Sequence, residues 1–125
     1  MKKVFYYTDV HPFLSKQKAA ITKLRSNLDT FKEASGDIQL IWHPWSCTEE
    51  FMKLNKCSVI DEYRKIVDEF KAAGWGVLDE TTTIADARVV MMSCDAYYGD
   101  ACDLAFEAKN KGIPVMLQNV DVVND

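Results

Sequence analysis

The chain has 125 residues, enough for a single domain that buries roughly two-thirds of its unfolded surface. Hydrophobic residues make up 48% and charged residues 27%, the balance of a folded globular protein and not of a disordered one. A net charge of −4, with Lys and Arg interleaved among acids, excludes the basic stripe that nucleic acid or an anionic membrane selects.

No run approaches the ~20 apolar residues of a membrane span. The apolar stretch after Met1-Lys2-Lys3 stops at Thr8-Asp9, short of a signal-peptide core. Cys47, Cys57, Cys94 and Cys102 form no CxxC pair and have no histidine at zinc-finger spacing. Reduced thiols in a cytoplasmic protein without a structural metal are the expectation.

The elements alternate along the chain. Residues 4–8 are short, β-branched and aromatic, and read as a first strand. Residues 15–34 carry Ala20, Ile21, Leu24, Leu28 and Phe31 at helical spacing, and Gly36-Asp37 ends that helix. Residues 38–42 form a second strand closed by His43-Pro44, and residues 45–57 are irregular or a short helix. Ser58, with Asp61 three positions on, reads as a helix start. Val59, Tyr63, Ile66, Val67 and Phe70 make the buried face of that helix, and Gly74 is its left-handed stop.

Residues 75–78 read as strand three. A short helix over 82–87 then leads to an almost wholly apolar strand four at 88–93. Asp100 is the expected N-cap of the last helix, with Asp103 in its first turn. Gly112-Ile113-Pro114 ends that helix, and residues 114–118 form strand five. The alternation predicts a Rossmann-like three-layer α/β sandwich. It has a five-stranded parallel sheet with helices on both faces, and strand one is central between strands two and four.

Ligands of such sheets bind at the carboxyl ends of the strands. Read on these boundaries, that rim collects Thr8, Asp9 and His11, then His43, Trp45 and Ser46, then Asp79, Glu80 and Thr81. Strand four adds Ser93, Asp95, Tyr97, Tyr98 and Asp100, and strand five adds Gln118 and Asn119. Candidate ligand-binding residues are Thr8, His11, His43, Asp95, Tyr97, Tyr98, Gly99 and Asp100, with His43 the candidate catalytic group. Asp and Thr before helices are equally the preferred caps, so each also has a structural reading. There is no GxGxxG and no Walker loop, so no dinucleotide cofactor is expected.

Three segments together resemble the C-terminal domain of CDP-glycerol glycerophosphotransferases, two-domain GT-B enzymes of teichoic acid biosynthesis. They are His43-Pro44, Asp95-Ala96-Tyr97-Tyr98-Gly99-Asp100 and Gly112-Ile113-Pro114-Val115. The resemblance spans about residues 4–119. It implies a transferase-like half that binds a cytidine or other nucleotide, or a nucleotide-activated donor. Such a half is not catalytically complete alone, and its partner is a second Rossmann-like domain or another copy. The family's arginine before His-Pro and its Ser-Ser pair have no counterpart here, where Cys102-Asp103 follows the tyrosine turn. A second resemblance is to nucleoside 2-deoxyribosyltransferases, whose Gly-x-x-x-Glu segment opens a late helix. Gly99 and Asp103 match that spacing, with Asp103 at the position of the nucleophilic glutamate. A non-catalytic interaction module is the third reading.

Overall fold

A computed structural model describes residues 1–118, so Asn119 lies outside the described residues. The sheet contains β1 (Lys2–Thr8), β2 (Ile38–Pro44), β3 (Val77–Leu78), β4 (Ala96–Gly99) and β5 (Val115–Leu117). All pairings are parallel and the order is β3-β2-β1-β4-β5. The α/β sandwich with a central first strand is therefore as expected. Among the described residues no helix is long and apolar enough to cross a membrane.

The central strand explains the two-sided core. From Phe5 to Thr8 every residue of β1 is buried, because helices cover both faces of a parallel sheet. Side chains alternate across it. Tyr6 joins Trp42 and the apolar faces of α2 (Lys18–Glu33) and α4 (Ile60–Ala73), which supply Leu24, Leu28, Tyr63, Ile66 and Phe70. Phe5 and Tyr7 instead join Ile41, Tyr97 and the inner faces of α5 (Ile84–Met92) and α6 (Asp103–Asn110).

The long first helix is divided. Gln17 takes a positive φ of 44°, separating α1 (His11–Lys16) from α2. Ser58 does not cap α4, whose N-cap is Val59; its hydroxyl donates to Gln17 Oε1 at 2.9 Å instead. The segment after β2 holds α3 (Thr48–Leu54), and Gly74 ends α4 at φ 73° as expected.

Residues 88–93 are not a strand: they belong to α5 and its C-cap. A run such as Val89-Val90-Met91-Met92 fits a buried strand or a buried helix equally on periodicity alone. The start signal decides it, since the Thr83 hydroxyl accepts the Asp86 N–H at 3.1 Å as an N-cap. Ala87 and Met91 then face the core four residues apart, while Arg88 forms a two-pronged pair with Glu107 at 2.9 and 2.8 Å. The real strand is β4, which shifts every neighbouring candidate residue relative to the sheet.

Candidate functional site

The shift of strand four takes Asp95 off the rim. Asp95 precedes β4 at the amino end of the sheet, where its carboxylate accepts the Lys3 N–H at 2.8 Å. Tyr97 and Tyr98 lie inside the strand and point to opposite faces. The Tyr97 hydroxyl donates to the Asp100 carbonyl beneath the rim, and burial pushes that phenol far up from its ordinary value. Tyr98 faces α2, donates to Asn27 Oδ1 at 3.3 Å and packs on Phe31 and Tyr6. It lines a mainly apolar groove of about 440 Å³ with Phe31, Pro114 and Met116.

Asp100 is at the rim but caps no helix. The N-cap of α6 is Cys102, with no side-chain cap bond. The Asp100 carboxylate accepts the Asp9 N–H at 2.7 Å and the Gln118 amide at 3.0 Å. These donors occupy the carboxylate, three residues before the helix begins. Gly99 holds φ 134° and packs so closely on Tyr7 that a Cβ would collide with its carbonyl. Thr8 is consumed structurally, accepting the Trp42 indole N–H at 3.0 Å. His11 is exposed at the start of α1, edge-on to Phe51.

His43, by contrast, lies on a cleft. It is the penultimate residue of β2 with only 7% of its side chain exposed, and its ring stacks against Phe5 and Tyr7 with centroids 5.5 and 5.9 Å away. The cleft holds about 220 Å³ between the carboxyl ends of β1 and β2 and the starts of α5 and α6. Tyr7, His43, Thr81, Thr83, Cys102 and Asp103 are among its lining residues. Asp103 is the first residue of α6 and exposed, so its carboxylate sits at the favourable positive end of the helix. Among the described residues no Lys or Arg lines this cleft. A neighbouring cleft of about 360 Å³ lies beyond Trp45 and Ser46 and carries Glu49, Glu50, Asp68 and Glu80. Among the described residues its one Lys or Arg is Lys71, held by Glu80 at 2.9 Å.

The partner of His43 is Asp79, at the end of the third strand. Asp79 Oδ2 lies 2.9 Å from His43 Nδ1, and both side chains are buried. Thr81 returns to the same carboxylate, its N–H donating to Oδ1 at 3.2 Å and its hydroxyl to Oδ2 at 3.1 Å. The sequence signal was the Asp79-x-Thr81 turn, since an aspartate that accepts the N–H two residues on is a recurrent turn former. Tyr7 is raised out of its ordinary range by burial, then by Asp9, Cys102 and Asp100, so it stays a neutral phenol. Among the described residues no group of three or more His, Cys, Asp or Glu is disposed to hold a metal ion. Compared with family models, with curated proteins and with solved structures, the chain matches none.

Proposed function

We propose that this chain acts on the N-glycosidic bond of a nucleoside, the second of the two resemblances, with Asp103 as nucleophile. The observation that carries this reading is that Asp103 and His43, 60 positions apart in the chain, line one cleft to which, among the described residues, no Lys or Arg contributes. An exposed carboxylate can attack the anomeric carbon while the bond to the base breaks; water or a second base then displaces the carboxylate. The absence of Lys and Arg, with four acids around the neighbouring cleft, disfavours a phosphorylated ligand. A neutral nucleoside meets no such repulsion.

The glycerophosphotransferase-half reading draws less support. Its motif residues diverge, with His43 at the rim, Asp95 at the opposite end of the sheet and Tyr98 on the α2 face. The distinguishing experiment incubates the purified chain with 2′-deoxynucleosides, with and without a second free base, and follows base release and exchange by chromatography. Calorimetry with CDP runs alongside. Base release or exchange supports the glycosidic reading. CDP binding that is lost in His43→Ala, without base release, supports the donor-binding half. Neither activity nor binding leaves the interaction module.

A further inference from the structure

His43 is nine-tenths buried, yet half of its hydrogen-bonding capacity is unused. Nδ1 meets Asp79, whereas Nε2 has no partner among the described residues and is not sealed from solvent. The ring borders the rim cleft, and the stacking on Phe5 and Tyr7 fixes its plane. A carboxylate only accepts hydrogen bonds, so the neutral ring facing Asp79 must carry its proton on Nδ1. Nε2 is then a free acceptor on the cleft side, with Asp103 and Cys102 on α6 and Tyr7 on β1 as the titratable groups sharing that cleft.

We propose that Asp79, itself held by Thr81, is a positioning residue that fixes the His43 ring with Nε2 toward the cleft, making His43 the acid–base group of the glycosidic reaction. This rests on the function proposed above. The proton balance closes with these two groups. In the first step an Asp103 oxygen bonds to the anomeric carbon, the carbon–nitrogen bond breaks, and protonated His43 gives its Nε2 proton to the departing base. In the second, neutral His43 takes a proton from water through Nε2, the water oxygen bonds to the anomeric carbon, and the ester bond to Asp103 breaks. The carboxylate and the imidazolium are both restored.

The Thr81 contacts make the effect of Asp79→Asn specific. The Thr81 N–H can only donate, so it requires the amide oxygen of an asparagine at the Oδ1 position. The amide NH2 then occupies the Oδ2 position and donates to His43 Nδ1, driving the ring proton to Nε2. The chain has only two histidines, so a ¹⁵N-histidine correlation spectrum reports this directly, with His11→Gln assigning the other ring. In spectra recorded at a pH where the ring is neutral, the expected result is the Nδ1–H tautomer in the wild type and the Nε2–H tautomer in Asp79→Asn. Base release from a deoxynucleoside should fall roughly 100-fold or more in that variant, the usual range for a misplaced acid–base group. A neutral wild-type ring protonated on Nε2 and not on Nδ1 overturns the proposal even if Asp79→Asn does not fold. An Nδ1–H ring in a wild type that releases no base overturns the glycosidic reading while leaving the positioning by Asp79 supported.

Discussion

Asp9 and Asp100 are joined across 91 positions of sequence by a 2.7 Å hydrogen bond from the Asp9 N–H to the Asp100 carboxylate. The bond clamps the loop after β1 to the loop after β4. Its second oxygen accepts from Gln118, Gln118 Oε1 accepts from Asn27 at 2.7 Å, and Asn27 reaches Tyr6 and Tyr98. The chain of bonds ties β1, α2, β4 and the end of β5 into one network, each member setting the orientation of the next.

Asp100 gives this network a pH dependence. Burial raises its carboxyl above the ordinary value, opposed by the bonds from Asp9 and Gln118 and helped by the Asp9 charge. A raised folded-state value means the native protein binds that proton more tightly than the unfolded chain. The resulting stability is fully present below the ordinary carboxylate value of about 4 and is lost as pH rises through the raised one. Asp100→Asn removes this titration. The stability advantage of wild type over the variant, from urea denaturation, should therefore be greatest in acid and shrink toward neutral pH. An advantage that grows with pH reverses the sign and sinks the assignment.

Gly99→Ala tests the close approach of β1 and β4. The residue holds φ 134°, and an added methyl group would run into the Tyr7 carbonyl, which is backbone and cannot swing away. Strand separation at the rim is the only relief. A loss of more than about 3 kcal/mol is expected on chemical denaturation, combining the backbone strain with the clash. A change below about 1 kcal/mol would mean that the strands do not meet there as described.

How much was legible in the sequence depended on whether a local signal had competitors. β1 and β2 announced themselves because central parallel strands are apolar on both faces, and Gly74 because a left-handed cap suits glycine. The α5 segment failed for the same reason that β1 succeeded: a continuous apolar run carries no period. The Thr83 cap that resolves it looked like any of three consecutive threonines. That single misplacement moved Asp95 to the wrong end of the sheet and drew attention to Tyr97 and Tyr98. His43 stays at the rim because the second strand is clear in sequence, although β2 runs two residues further than expected, to Pro44, and so includes it. Its bond to Asp79 joins residues 36 apart, and no spacing rule connects them.

The cysteines offer a map of the cleft. Cys47 is exposed, Cys57 and Cys94 are buried, and Cys102 is half-buried on the cleft wall. Burial also raises the Cys94 thiol, reducing the thiolate that reacts. Labelling with a thiol reagent should proceed fastest at Cys47, then Cys102, and slowest at Cys57 and Cys94. A bound deoxynucleoside should slow Cys102 alone, read by mass spectrometry of the labelled peptides. Unchanged Cys102 labelling at saturating ligand would put the ligand elsewhere.

Asp103 separates catalysis from folding better than any other residue of the cleft. Its side chain is exposed and has no hydrogen-bond or ion-pair partner among the described residues, so its structural contribution is mainly its place at the N-terminus of α6. Removing that charge costs about 0.3–1 kcal/mol. Asp103→Asn keeps the shape and should melt close to wild type, yet it lacks a nucleophilic oxygen anion. Base release should drop by roughly 1,000-fold or more, as for other lost nucleophiles. Asp103→Glu keeps the charge and lengthens the arm by one methylene, so measurable turnover should persist. Intact-mass analysis then gives the decisive comparison: brief exposure to substrate should leave one deoxyribosyl group on wild type and on Asp103→Glu, and none on Asp103→Asn. A sugar adduct on the Asn variant, or base release at the wild-type rate, would remove Asp103 from the reaction and leave His43 without a nucleophile to serve.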